Sequence, residues 1–221
     1  MVVSRCRSRG VSIPALKLYG QLLEKVLEYK YLGVVFTCDH SWSTHVDKIV
    51  NKSRKLAGML YRQFYRWSNS KALCQLYISL IRPHLEYAAP VWNPYLSKDI
   101  CRLEAVQKFA LRICLKDWNS TYHDLLEQCH LTELSSRRDY LSLCHLYKII
   151  HEHCIFPNAP VNPYSSNYFT HTHDSNQYIQ PHARTNVFYH SYFPHTIALW
   201  NSLPQSVQSF KNNLLLSGYC A

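Results

Sequence analysis

Basic side chains at helical spacing are the residues of this sequence best suited to a chemical task. Lysine and arginine bind phosphate groups, and they supply most of the affinity of proteins for nucleic acid. Between Trp42 and Trp67 the basic positions are Lys48, Lys52, Lys55, Arg62 and Arg66. The opposite stripe is apolar: Trp42, Val46, Ile49, Val50, Leu56, Ala57, Leu60, Phe64 and Trp67. At 3.6 residues per turn the pattern predicts one long helix, with one face toward a core and one toward anions.

A second segment, Ser97–Leu115, repeats this two-faced design. Its basic positions, continuing just past the segment, are Lys98, Arg102, Lys108, Arg112 and Lys116. Its apolar positions are Ile100, Leu103, Val106, Ala110, Ile113 and Cys114. A basic stripe on a single helix is usually a solvated face. Two such helices in one chain favour phosphate contact over that alternative.

The charge of the chain is concentrated in the same region. The sequence has 24 Lys and Arg against 14 Asp and Glu, a formal charge of +10. Thirteen basic and four acidic residues lie between Ser41 and Lys116, so +9 of that charge falls there. This excess favours a polyanionic partner. With 47% hydrophobic residues among 221, the chain can bury a core and is not a disordered tail.

Cysteine usage and hydropathy predict where the protein resides. The nine cysteines are scattered singly, without a Cys-x-x-Cys pair or a signal peptide. They are typical of reduced thiols in an intracellular protein, cytoplasmic or nuclear. Because no run of about 18 uncharged apolar residues occurs, we expect no transmembrane helix and no membrane partner.

Two other groups of reactive side chains are poor candidates for a site. The group Cys144, His145, His151, His153 and Cys154 matches no zinc spacing, so we expect no metal, with Cys144 in the core and His145 and His153 on the surface. The group His171, His173 and Asp174 lacks a positioned nucleophile, which argues against a hydrolase triad.

The first forty residues predict a small antiparallel β fragment. The segments 1–4, 15–19, 22–26 and 29–36 are rich in strand-forming residues and are bounded by turn residues. Gly33 within the last segment indicates a bulge or the close approach of another backbone. Either Asp39 or Ser41 can cap the first long helix.

The rest of the chain predicts a helical bundle and an irregular end. The cluster 68–70 is a turn and N-cap for a second helix, which Pro83 ends or kinks. Pro90 and Pro94 bracket an ordered loop. A short helix over 120–128 precedes a last long one that Thr132 caps and that runs through Ile150. Residues 156–180 form an irregular connection, and the aromatic end beyond packs on the helices.

Several runs resemble the C-terminal part of jockey-like, LINE-type non-LTR retrotransposon reverse transcriptases. They are Glu28-Tyr-Lys-Tyr-Leu-Gly-Val35, Leu80-Ile-Arg-Pro-His-Leu-Glu-Tyr-Ala-Ala-Pro-Val-Trp92, Leu103-Glu-Ala-Val-Gln-Lys-Phe-Ala-Leu-Arg112, Ala183-Arg-Thr-Asn186 and Leu199-Trp-Asn-Ser-Leu-Pro204. The resemblance covers almost the whole chain and keeps the order of the motifs. It implies that 1–40 is a truncated palm edge, 41–155 a helical thumb-like domain, and 156–221 a linker with an aromatic C-terminal segment.

The resemblance also implies what the parts do. Tyr31, Leu32 and Gly33 would form the primer-grip strand turn, and the basic helices would contact the backbone of an RNA/DNA template-primer. The segment Met1-Val2-Val3-Ser4-Arg5 resembles an internal palm strand, so the missing palm and fingers of the parent polymerase would be the protein partner. Tyr31 could touch a sugar or base, or could be an inward strand residue.

The chain departs from the family at the catalytic carboxylates. Metal-dependent nucleotidyl transfer needs carboxylates that converge on Mg²⁺, and the family supplies an Asp-Asp pair that this sequence lacks. We therefore expect no catalytic residue, no enzyme activity by the chain alone, and no cofactor, Mg²⁺ belonging only to the intact parent polymerase. The predicted function is nonspecific binding of a duplex backbone. The alternatives are a helical protein-interaction module or inert remnant, and adhesion of the basic face to anionic membrane.

Overall fold

The computed structural model describes residues 16–24, 26–151, 156, 159–163 and 177–204. Within them the chain is mainly helical, and two small antiparallel sheets precede the helices. This confirms the predicted fold class, mainly α with a small antiparallel β fragment ahead of a helical bundle. The predicted strand at 1–4 and most of the connection 156–180 lie outside the described residues.

The β fragment consists of two separate hairpins. Strand β1 (Lys17–Leu18) pairs with β2 (Gln21–Leu22), and β3 (Glu28–Tyr31) pairs with β4 (Val34–Thr37). The prediction of one continuous strand over 29–36 is therefore wrong. Leu32 and Gly33 form a two-residue turn between β3 and β4, with φ angles of 45° and 88°. Two successive positive φ values reverse the chain in the sense that matches strand twist, so Gly33 serves a turn and not a bulge.

The first long helix is α1 (Ser43–Phe64), which buries Val46, Val50, Ala57 and Leu60. Trp67 was predicted in this apolar stripe, but it is 88% exposed, because α1 ends three residues before it and the helical phase no longer applies. The predicted Asp39 cap is wrong. The N-cap residue is Trp42, which makes no side-chain cap, but the hydroxyl oxygen of Ser41, the other predicted residue, accepts a 3.3 Å hydrogen bond from the Ser43 amide at the start of α1. The Asp39 carboxylate instead accepts hydrogen bonds from Thr37 and Ser41 within the preceding turn.

The segment around Pro83 is a continuous helical stretch with a wide turn in it. Helix α2 (Ser70–Leu76) begins at the predicted cap Asn69, whose side chain accepts a 2.8 Å hydrogen bond from the Ala72 amide. A π-helical turn (Tyr77–Ile81) then leads into α3 (Arg82–Glu86). Pro83 is the second residue of α3 and directly follows this wide turn. The chain around Pro90, predicted as a loop, forms the short helix α4 (Ala89–Trp92).

The remaining bundle helices are α5 (Ser97–Leu115), α6 (Tyr122–Cys129) and α7 (Leu134–Ile150). The bounds of α5 match the prediction. The predicted Thr132 cap of α7 is wrong, because its N-cap residue is Glu133 and no side-chain cap forms. The carboxylate of Glu104 on α5 accepts hydrogen bonds from the Leu134 and Ser135 amides at 3.3 and 2.8 Å. A side chain from another helix thus satisfies the first turn of α7.

Two apolar clusters hold these elements together. The larger joins β4 and helices α1 to α7 around residues such as Val34, Trp92 and Leu103. The smaller joins α7 to α9 (Tyr192–Asn201) through Leu146, Tyr147, Ile197 and Trp200, with α8 (Asn186–Tyr189) just before. The aromatic end therefore packs on the helices, as predicted.

Candidate nucleic-acid interface

The predicted primer-grip turn is held against the helical bundle by one side chain. The hydroxyl of Tyr87, just after α3, donates a 2.9 Å hydrogen bond to the carbonyl oxygen of Leu32. A Cβ added to Gly33 would lie 3.4 Å from the ring of the same tyrosine. The backbone of the turn is therefore fixed in a conformation that favours glycine. The close neighbour of Gly33 is this ring and not another backbone, which corrects the prediction.

The turn forms one wall of a groove of about 320 Å³. The other walls come from α1 and α3, and the cationic side chains around it are Lys30, Lys48 and Lys52. His84 also lines it, but burial, and then the charge of Lys52, lower the pKa of His84. The lowered pKa favours the neutral imidazole of His84.

The floor of the groove includes a buried neutral histidine, His45. Its Nδ1 accepts a 3.3 Å hydrogen bond from the Val35 amide, which ties β4 to the first turn of α1. Burial, and then the charge of nearby Lys48, lower the pKa of His45 to about 4. Its ring meets Trp92 edge to face at 5.0 Å. The hairpin and α1 are thus joined by a specific polar contact beneath the lysines.

The basic stripe of α1 is exposed along its length. All five predicted cations lie on the surface: Lys48, Lys52, Lys55, Arg62 and Arg66. Lys48 forms a 3.1 Å ion pair with Glu28 of β3, both side chains about half exposed. Such a pair is worth little in water and exchanges readily for a phosphate. The pair also places Lys48 directly beside the hairpin.

Helix α5, which carries the second basic stripe, packs against α1. Ser43 donates a 2.7 Å hydrogen bond to Asp99 at their N-terminal ends. At their C-terminal ends the Lys116 ammonium lies 5.3 Å from the centre of the Tyr65 ring. The two helices therefore run in the same direction, with their N-terminal ends together.

The predicted residues of α5 are less available than those of α1. Lys98 is exposed, whereas Lys108 and Arg112 are half buried. Arg102 is engaged within the protein, since it pairs with Asp47 of α1 and, at 3.6 Å, with Asp99. Asp99 is itself buried, so Arg102 neutralises it at the junction of the helices. We therefore assign Arg102 to joining α1 and α5.

Tyr31 is 59% exposed at the end of β3 in this chain. Sequence reasoning missed Lys30, His84 and Tyr87 of the groove. Lys30 has a recognisable signal, because it precedes the Tyr31-Leu32-Gly33 turn by one residue. No local pattern marks His84 and Tyr87, since they reach the turn only through the tertiary fold.

The carboxylates nearest these elements have structural partners. Glu86 pairs with Arg82 and Arg137 on neighbouring turns of α3 and α7. Glu104 accepts a 2.5 Å hydrogen bond from the Tyr122 hydroxyl in addition to capping α7. Among the residues that the structure describes, no group of three His, Cys, Asp or Glu is placed to hold a metal ion. His145, expected on the surface, is partly buried and bonded to Tyr192 at 2.8 Å.

Comparison of the chain with protein-family models, with curated proteins and with solved structures finds no match. The resemblance to reverse transcriptases therefore remains a prediction drawn from the quoted motifs. In the described part of the chain, no helix combines the length and apolar content needed to cross a lipid bilayer.

Proposed function

We propose that this chain binds the sugar–phosphate backbone of a nucleic-acid duplex without sequence preference, as the thumb-like part of a LINE-type reverse transcriptase. The supporting observation is the hydrogen bond from Tyr87 to Leu32. It holds the hairpin turn beside Lys48 and Lys52, so that one groove combines an exposed backbone turn with the start of a cationic helix face.

The spacing of charges along α1 suits a duplex backbone. A helix of 22 residues is about 33 Å long, comparable to about ten base pairs at 3.4 Å each. Within α1 the exposed cations run from Lys48 to Arg62, over about 21 Å of that length. Because phosphate contacts carry no sequence information, the binding is nonspecific and depends steeply on salt.

Fluorescence anisotropy with a labelled RNA–DNA hybrid tests the proposal. If four phosphates are neutralised, raising salt from 50 to 200 mM weakens binding roughly 100-fold. Replacing Lys48 and Lys52 by Gln is expected to lower both the affinity and the slope of log K against log salt. Lys148→Gln, at an exposed position on α7, is the matched control and should leave both unchanged. An affinity that does not vary with salt would overturn the proposal.

The proposal includes no polymerase activity for this chain alone. Metal-dependent extension of a primer on an RNA template by the purified chain, above the background of a mock preparation, would contradict that part. In a parent polymerase, the carboxylates that hold Mg²⁺ would come from a palm domain, which would be the partner of this chain.

A second candidate is a protein-interaction module, which a specific surface favours. The hairpins expose large apolar side chains: Leu16, Leu18, Tyr19, Leu22, Leu27, Tyr29 and Leu32. Two-stranded sheets with such exposure are marginal by themselves and suit a covering partner. Sedimentation velocity and a gel shift with a primer–template duplex separate the candidates. This second one predicts oligomers and no shift, whereas duplex binding predicts a shifted complex.

A further inference from the structure

A second cavity, of about 180 Å³, lies between α7, the loop after α4, and α8 to α9. Its walls include Asn93, Tyr95, Ser135, Arg138, His190 and His195. The rings of Tyr95 and His190 stack in parallel there, with centres 4.6 Å apart. None of these residues belongs to the groove beside the hairpin.

The decisive side chain in this cavity is Arg138, which is fully buried. Its Nε donates a 3.0 Å hydrogen bond to the Asn93 side-chain oxygen. Nη1 and Nη2 have no hydrogen-bond partner among the described residues. A guanidinium carries four N–H donors on those two nitrogens. Burying them without acceptors is costly, and a native structure usually supplies a partner.

The nearby carboxylates do not provide that partner. Asp139 also lines the cavity, but its Oδ1 accepts a 3.0 Å hydrogen bond from the Asn93 side-chain amide. Burial raises the pKa of this carboxyl, although the charge of His195 opposes the shift. Glu104 caps α7, and Glu86 pairs with Arg82 and Arg137. Their charges act on Arg138 from nearby, but among the described residues neither carboxylate forms an ion pair with it.

We infer that the cavity binds a small oxyanion, a carboxylate or phosphate group, on the Nη1 and Nη2 edge of Arg138. A guanidinium edge matches two oxygens of such a group in a bidentate arrangement. Asn93 fixes the orientation of the guanidinium, and the imidazoles of His190 and His195 supply further polar contacts. The volume exceeds the roughly 30 Å³ that one water occupies, and it is below the roughly 300 Å³ at which drug-sized ligand sites begin.

This site is independent of the proposed duplex binding, and thermal unfolding of the purified chain tests it. Sodium phosphate and sodium acetate are titrated separately at constant ionic strength against sodium chloride, which distinguishes a phosphate site from a carboxylate site. At a ligand concentration ten times Kd, the midpoint is expected to rise by about 3 °C. Arg138→Met should abolish the rise, while Lys48→Gln with Lys52→Gln should keep it.

A second variant covers the possibility that Arg138→Met does not fold. His195→Phe fills the cavity without touching the bond between Arg138 and Asn93, and it should also remove the anion-specific rise. In the wild-type chain labelled with ¹⁵N-arginine, the bound anion should shift one guanidinium signal in a saturable way. No rise with either anion, or an equal rise in His195→Phe, would overturn the inference.

Discussion

The Tyr87 hydroxyl and the Leu32 carbonyl oxygen are joined by a hydrogen bond across 55 positions of the chain, and this bond fixes the hairpin on the bundle. Leu32 is held at a φ of 45°, a conformation that leucine rarely adopts. The contact therefore stabilises a turn that the local sequence would not maintain alone.

Tyr87→Phe keeps the ring beside Gly33 but removes this donor. We expect unfolding in urea to become easier by about 1 kcal/mol, because the bond is neutral and exposed. Affinity for the RNA–DNA hybrid should fall as well, since the turn loses its fixed position next to Lys48 and Lys52. Tyr61→Phe, on the exposed face of α1, is the control. Unchanged affinity in Tyr87→Phe would show that the position of the turn does not contribute to binding.

Replacing Gly33 or Gly58 by alanine should have opposite effects on the stability of the chain. Gly33→Ala places a Cβ at a φ of 88° and 3.4 Å from the Tyr87 ring, so it should destabilise the chain by about 1 kcal/mol or more. Gly58→Ala lies within α1, where the added Cβ meets only the end of the Arg62 side chain at 3.5 Å. Alanine should stabilise that helix by about 0.5 to 1 kcal/mol. Urea midpoints measured in parallel check both signs.

Glu104→Gln tests the cap that one helix supplies to another. The carboxylate accepts from the Leu134 and Ser135 amides and from the Tyr122 hydroxyl, and glutamine loses the charge and one acceptor oxygen. We expect a loss of about 2 kcal/mol in the free energy of unfolding. Glu127→Gln, whose side chain is 70% exposed, should change it little. Equal losses in the two variants would argue against the cap.

His45 predicts a dependence of stability on pH. Because burial lowers its pKa in the folded chain to about 4, from 6.5 in the unfolded chain, the folded state binds the proton less readily. Stability is then fully present above about pH 6.5 and is lost as pH falls toward 4, by up to about 3 kcal/mol. Urea unfolding of His45→Gln across this range should show a shallower slope than the wild type. Identical slopes in the variant and the wild type would show that other groups cause the pH dependence of stability.

The thiols of Cys74 and Cys129 lie 3.3 Å apart between α2 and α6. Hydrogen bonds from Cys114 and then Cys129 lower the pKa of Cys74, which favours its reactive thiolate. Hydrogen peroxide should therefore oxidise Cys74 and Cys129 to a disulfide, and the peroxide, which takes up both thiol hydrogens, is reduced to two water molecules. Mass spectrometry should find the linked peptides in the wild type and not in Cys129→Ser, while the exposed Cys101 stays unlinked. Linkage of Cys101 at an equal rate would contradict the prediction.

Helical periodicity was sufficient to predict the helices whose two faces differ most in polarity. The bounds of α5 and the Asn69 cap follow from side chains within a few residues of each other, where local geometry decides. The apolar stripe of α1 was correct up to Phe64, and the basic stripe was exposed as expected. Trp67 shows the limit, since a periodic pattern does not mark where the helix ends.

The errors concern contacts between distant segments. Nothing near Thr132 indicates that Glu104 caps α7, and nothing near Arg102 indicates that it pairs with Asp47 of α1. The buried guanidinium of Arg138 has the same origin, because a surface-type residue enters the interior only where Asn93 can orient it. Such pairings arise from the packing of helices and leave no periodic trace in the chain.

The π-helical turn at Tyr77–Ile81 sets the angular position of everything that follows it in the same helical stretch. One residue of an α-helix corresponds to a rotation of about 100°. Shortening the stretch by one residue would restore regular winding and swing Tyr87 around the axis, away from Leu32. The extra residue in this wide turn therefore sets the rotational position of Tyr87, and the orientation of the hairpin depends on it.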